Sequence, residues 1–509
     1  MLRRIIITSL AVTLASPFLI DSTAQAAPAP IAKGSWLMVP QSKDANGDGF
    51  IDGDGGVPKS GALELQPSTT FIGAGNFIAQ PNERLIGGAL SWYLDAGGYP
   101  VQLNACASTG ATYFWTISQG QSIIKTTSAR ALKKKTCKTT VSLPEGQYVF
   151  QLTVRSGSAK RVLNLNANVL NYLMVALGDS YASGEGNPRN VEAWLSKAGA
   201  FTPYWDDDNC NRSSRGAPAQ SALALEKSSP HYSVTLVDVA CSGATVDSGI
   251  LGPQRQAGQT ISQIQQLRGL IGERPIDIAT ISIGGNDTGF ETVLTSCALN
   301  NDCPIRRATN GSLSRYPTLQ EGVQAELGKL PANFARIAGC LGGSSCSVSE
   351  AGAVPPLKMA AGAAILPTMY PDITRSSSGA ACSYLTISAA DFAWARATQL
   401  LPTPGPSYLF TTTSGQQVTM ALANGTLNSQ VGATSALRWS PVSGSWSSSG
   451  ESTTGHGVCA GNDSWVFGLT AFQGFTSASF HPNPAGQRAI AQAITGAINA
   501  AVTATTGAG

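Results

Sequence analysis

The sequence predicts an α/β fold, a parallel sheet covered on both faces by helices, preceded by a smaller all-β module. Three observations carry this. From residue 171 to 509, apolar strand-like runs at 172–177, 233–239, 277–283 and 362–367 alternate with helical patterns, as repeated βαβ units do. Residues 59–170 instead hold short aromatic and β-branched runs, Ala89 to Leu94, Thr112 to Ile117 and Tyr148 to Val154, with a turn at Leu143-Pro144-Glu145-Gly146 before the last. Near the C-terminus a helix reads plainly: Asn483 caps it, Pro484 fits its first turn, and Ile490, Ile494, Ile498 and Val502 recur every four residues.

The chain opens with a secretory pattern. Arg3 and Arg4 precede the apolar stretch Ile5 to Leu19, and Ala24-Gln25-Ala26 offers an A-x-A cleavage site, so residues 1–26 are expected to be a signal peptide and the protein to be secreted. Losing Arg3, Arg4 and Asp21 lowers the formal charge from +3 to +2. That balance gives no argument for nucleic acid, and no later apolar run is long enough to span a bilayer. The roughly 480 residues that follow exceed one ordinary core and predict two domains.

Ten cysteines in such a chain imply disulfides. No C-x-x-C pair exists and there are only three histidines, which argues against zinc. No cofactor is expected for catalysis. Residues 27–58 are rich in Gly, Pro and Asp and are expected to be a linker. Within them Asp44, Asn46, Asp48 and Asp52 fall at alternate or near-alternate positions around Gly49, so two readings stand: a structural calcium loop or a solvated Asp/Gly segment. Residue 55, where an EF-hand has its bidentate Glu, is Gly. The β stretch 59–170 resembles immunoglobulin-like or PKD-like modules, and the resemblance implies a spacing role or contact with a surface or polysaccharide.

The most informative stretch is Gly178-Asp179-Ser180-Tyr181-Ala182-Ser183-Gly184-Glu185-Gly186, which follows the buried run Leu173 to Leu177. Three blocks follow in order: Cys241-Ser242-Gly243-Ala244-Thr245, Gly284-Gly285-Asn286-Asp287 after the run 277–283, and Phe480-His481-Pro482-Asn483-Pro484-Ala485-Gly486. Together they resemble the signature blocks of the SGNH, or GDSL, hydrolases. The resemblance implies a three-layer flavodoxin-like domain and a secreted carboxylic ester hydrolase: an esterase or lipase, with phospholipase and carbohydrate esterase also open. Its substrate would be a lipid, a small ester or an acylated glycan, and it would work as a monomer. It implies Ser180 as nucleophile, His481 as base, and an oxyanion hole made by the N–H of Ser180, the N–H of Gly243 and the amide of Asn286. With local closeness it also favours the pairs Cys106–Cys137, Cys210–Cys241, Cys297–Cys303, Cys340–Cys346 and Cys382–Cys459. The absence of any G-x-S-x-G argues against an α/β-hydrolase elbow.

A serine hydroxyl needs a positioned base. Of the three histidines, His231 precedes the second strand at the edge away from Ser180, His456 lies in a Gly-His-Gly-Val-Cys loop, and His481 sits before the last helix. The family places an aspartate three residues before this histidine, where this chain has Ala478. The expectation is therefore a Ser180–His481 dyad whose imidazole is oriented by the backbone carbonyl of Ala478, with Asp463 as the alternative carboxylate. Asp179 and Asp287 are expected to brace loops, and Ser183 to be a loop hydroxyl. The competing function is a surface- or matrix-binding protein with a catalytically silent SGNH domain. The segment 402–455 is expected to be loops around one helix near Leu422 to Leu437.

Overall fold

The computed structural model describes residues 29–40, 44, 47, 49–51, 85–86, 89–90, 98–197, 201–380, 382–400, 408–411, 417–420, 427–442, 455–470 and 478–506. The segment 1–26 expected to be a signal peptide, Asn46, Asp48, Asp52 and the runs 91–94 and 421–426 lie outside them. The chain divides into two compact units. One comprises Met1–Ser35, Asn104–Thr139 and Val149–Leu165, the other Trp36–Leu103, Thr140–Tyr148 and Asn166–Gly509.

The strands before residue 170 form separate short sheets. β1 (Ser35–Met38), β2 (Tyr99–Asn104) and β5 (Lys138–Leu143) form one three-stranded sheet in the order β1-β2-β5. β3 (Thr112–Gln119), β4 (Ser122–Thr126), β6 (Gly146–Ser156) and β7 (Ala159–Val169) form another in the order β7-β6-β3-β4. β1 corrects the linker expected over 27–58: the apolar run Trp36 to Val39 outweighs its Gly and Pro neighbours and pairs with β2. β2 and β3 alternate buried and partly buried residues, the period of a half-covered sheet. Cys106 and Cys137 are bonded within the first unit.

The second unit is built on a parallel sheet. Its strands are β8 (Asn171–Gly178), β9 (Ser233–Asp238), β10 (Ile276–Ser282) and β11 (Met359–Pro367), in the order β9-β8-β10-β11. Every residue of β8 and β9 is buried, as expected of strands covered on both faces. The chain leaves β8 to one side for β9 and to the other for β10. β8 therefore lies at the point where strand order reverses, and the crevice beyond its carboxyl end is where open α/β sheets hold ligands.

Three helices set the site. α1 (Ser180–Ser183) is a single turn after β8, α2 (Ala217–Ser228) precedes β9, and α3 (Pro484–Thr506) is the C-terminal helix. α2 and α3 pack together: the Ser221 hydroxyl donates to the Ala491 carbonyl at 3.1 Å, and the Ala217 N–H donates to Gln487 Oε1 at 2.9 Å. Ile490, Ile494 and Ile498 are buried, as their four-residue spacing predicts. Where loops were expected over 402–455, the hairpin Tyr408–Thr411/Gln417–Met420 is present, because its β-branched and aromatic residues pair in register. A helix there covers Leu427–Ala433. All five expected disulfides are present, with no free cysteine. Among the described residues no helix is long and apolar enough to cross a membrane.

Candidate active site

Ser180 is presented by a sharp end to β8. Gly178 has φ +134°, and a Cβ there would lie 2.0 Å from the Ser282 carbonyl oxygen on β10, so only glycine allows the two strands this approach. The Gln263 side chain grips the same residue, its amide donating to the Gly178 carbonyl and its oxygen accepting the Gly178 N–H, both at 2.8 Å. Asp179 then caps α1, its Oδ1 accepting the Tyr181 N–H at 3.0 Å.

His481 arrives from the other end of the chain. Asn483 caps α3 by accepting the N–H groups of Ala485 and Gly486 at 2.9 and 3.1 Å. Its amide also donates to the Ser464 carbonyl at 2.7 Å. The loop so held brings His481 Nε2 to 2.8 Å from Ser180 Oγ. Nδ1 lies 2.9 Å from the carbonyl oxygen of Ser479. An Nδ1–H donating to that carbonyl leaves a lone pair on Nε2 to take the serine proton.

The expected carbonyl is thus corrected by one residue. The Ala478 carbonyl accepts the backbone N–H of His481 at 3.0 Å, and Ser479 faces the ring. The cause is Phe480, whose φ is +60°. A bulky residue adopts the left-handed region rarely and at a cost. Here the Tyr181 hydroxyl donates to the Phe480 carbonyl at 3.1 Å, and the Phe480 N–H donates to Phe467 O at 3.1 Å. The alternative carboxylate, Asp463, is not the partner of either ring nitrogen of His481, which face Ser479 O and Ser180 Oγ; its backbone carbonyl lies 2.7 Å from Nδ1 of His456, whose ring stacks on Trp465 at 3.7 Å. His231 stacks on Trp36 at 4.5 Å.

The oxyanion candidates lie on loops after the strands flanking β8. Cys241, bonded to Cys210, donates its N–H to the Gly178 carbonyl at 3.0 Å, which seats the loop carrying Gly243 (φ +78°) beside the serine turn. Asn286 follows β10, and one of its amide hydrogens goes to the Ala244 carbonyl at 3.0 Å. That bond ties the Asn286 loop to the Gly243 loop and leaves a second hydrogen on the same nitrogen. Asp287 accepts the Val246 N–H at 3.1 and 3.3 Å, and burial pushes its pKa up to about 7. Burial raises Asp179 to about 6, against hydrogen bonds from Tyr370, Tyr181 and Ser282 that favour its charged form. The Ser183 hydroxyl donates to the Ser180 carbonyl at 3.2 Å.

Glu185 was not singled out from the sequence. It is buried, and its Oε2 lies 3.5 Å from His481 Nε2. Asn211 Nδ2 donates to Oε1 at 2.9 Å, and the Ser242 hydroxyl donates to Oε2. A carboxylate between two glycines within the serine block was the available signal.

An apolar cavity of about 60 Å³ opens beside these loops, lined by Gly285, Phe290, Leu294, Leu327, Ile373 and Phe392 among others. Tyr370, also in its wall, meets Asp179. Cys297, Cys303 and Asp391 cluster closely, but the two sulfurs are bonded to each other and cannot act as thiolate ligands. Of the calcium candidates only Asp44 is described. It accepts the Gly49 N–H at 3.2 Å and pairs with the Lys227 ammonium.

No family model matches the chain. It is 33% identical over 167 residues to "Lipase 1" of Streptomyces coelicolor, a match covering 32% of this chain and 46% of that protein. The chain therefore spans about half the length of the curated relative it matches. Among solved structures, an extracellular lipase from Streptomyces rimosus aligns with 65% of this chain and 99% of its own at 20% identity and TM-score 0.38. A family two carbohydrate esterase from Clostridium thermocellum aligns with 80% and 93% at 11% identity and TM-score 0.26.

Proposed function

We propose that the protein is a serine carboxylic ester hydrolase of the SGNH type, with Ser180 as nucleophile and His481 as base. One observation carries the reading: Ser180 Oγ is 2.8 Å from His481 Nε2 while Nδ1 faces the Ser479 carbonyl. In this arrangement Oγ attacks the ester carbonyl as its proton passes to Nε2. The oxyanion takes hydrogen bonds from the N–H groups of Ser180 and Gly243 and the amide of Asn286. The C–O bond then breaks, the Nε2 proton passes to the departing alcohol, and water repeats the sequence on the acyl-enzyme. The likeness to a protein named a lipase supports the reaction class.

The apolar cavity favours an acyl chain of a lipid or small ester over an acylated glycan. We read residues 171–509 as the three-layer flavodoxin-like hydrolase domain and 59–170 as an immunoglobulin- or PKD-like module that contacts a surface or polysaccharide. We read residues 1–26 as the signal of a secreted protein, which five disulfides support, and the protein as a monomer. No cofactor enters the reaction. Calcium at residues 44–52 is a structural proposal alone, and a melting temperature unmoved by calcium or chelator would remove it.

The test is a fluorophosphonate, which should add covalent mass at Ser180, together with p-nitrophenyl esters of increasing chain length. Absence of both labelling and turnover in folded protein would favour the silent binding protein. In Ser180→Ala, retained turnover above about a tenth of wild type would sink the assignment.

A further inference from the structure

The arrangement above leaves one need unmet. When His481 takes the serine proton it becomes an imidazolium, and the group facing its Nδ1 is a neutral carbonyl. A carbonyl sets the tautomer but brings only a partial charge to a full positive one. We propose that Glu185 supplies the missing negative charge, from the Nε2 side of the ring rather than the Nδ1 side, and so acts as the positioning carboxylate of a Ser180–His481 site. This rests on the reading of Ser180 and His481 given above.

Three features support it. Glu185 Oε2 stands 3.5 Å from the same nitrogen that meets Ser180 Oγ. An opposite charge at that distance in a water-poor site interacts strongly. The carboxylate is also held by named donors: Asn211 at Oε1, Ser242 at Oε2. Both donors sit next to the Cys210–Cys241 bond, so a covalent link fixes their spacing. Finally, the backbone is shaped to deliver the side chain. The Glu185 N–H donates to the Ser180 carbonyl at 3.1 Å, and Gly186 follows with φ +90°. A Cβ on Gly186 would lie 2.5 Å from the Pro482 carbonyl oxygen and 3.1 Å from His481 Cβ. The glycine lets the Glu185 turn close directly onto the histidine loop.

Other charges near the ring are few. Asp179, buried behind α1, interacts electrostatically with His481, and the Tyr181 ring lies 5.6 Å away. The segment 464–468 brings Ser, Trp, Val, Phe and Gly, and α3 has no charged residue before the exposed Arg488. Glu185 is thus the carboxylate on the Nε2 face among the described residues.

The test compares full-length wild type, Glu185→Gln, Glu185→Asp, Asn211→Gly and Ser180→Ala with a short p-nitrophenyl ester across pH. Removing the anion makes the imidazolium easier to deprotonate, so Glu185→Gln should move the acidic limb of kcat/KM down by about one pH unit. It should lower kcat by about tenfold to a hundredfold with KM within about twofold. Glu185→Asp should recover part of the limb. Asn211→Gly keeps the left-handed backbone at that position (φ +46°) and deletes the amide. It should shift the limb the same way by less, and it decides the matter if Glu185→Gln does not fold. An unmoved limb in the folded variants overturns the proposal, as does a loss of activity equal at every pH. Turnover persisting in Ser180→Ala instead overturns the nucleophile assignment and leaves a different signature.

Discussion

Tyr370 donates its hydroxyl hydrogen to Asp179 and accepts the Gly285 N–H at 3.1 Å on the same oxygen. One phenol thus links the residue before Ser180 to the residue before Asn286. Tyr370→Phe keeps the ring and removes the link. It leaves a buried carboxylate short of a donor, a loss of about 1–3 kcal/mol that urea titration would read. The slackened register between loops should lower kcat by about tenfold to a hundredfold, and unchanged kinetics would contradict this.

Asn286 is the side-chain member of the proposed oxyanion hole. Asn286→Ala should reduce kcat by about 10²–10³ with little change in KM. Because Asn286 also donates to Ala244 O, the melting curve must be recorded beside the kinetics. Large instability with proportionate loss of bound substrate would instead identify a purely bracing amide.

Asp287 has its folded pKa raised to about 7 by burial. The folded state then binds the proton more tightly than the unfolded chain, so this group's contribution is fully present below about pH 4. It is lost as pH rises through about 7, at up to ~1.4 kcal/mol per pH unit. Asp287→Asn removes that dependence. Its stability relative to wild type should therefore climb between pH 4 and 7 in urea melts, and a flat difference would refute the buried titration.

Leu294 lines the apolar cavity. Leu294→Trp should shorten the space available to an acyl chain. The expected result is a loss of about tenfold or more in kcat/KM for an octanoyl ester, with the acetyl ester within about threefold. Equal losses for both chain lengths would mean that the acyl group goes elsewhere.

Ser180 and His481 were legible because each stands in a short local pattern: a strand ending in glycine, and a capped helix start. Ser479 was not, because residue 478 suits a regular turn back to the ring, and nothing in the sequence announces that Phe480 takes a left-handed conformation. Glu185 was missed for a related reason. Its value depends on Asn211, Ser242 and His481, which meet it only after folding. β1 was hidden by flanking Gly and Pro, and the 408–420 hairpin by the polar composition around it.

The 301 positions between Ser180 and His481 also set a clock. At about 5–20 residues per second, the ribosome finishes the histidine roughly 15–60 s after the serine. β8 and the Ser180 turn can be made long before α3 exists to hold the imidazole against them. On the proposed dyad, the growing chain therefore carries an unactivated Ser180 hydroxyl until His481 and the start of α3 have been made.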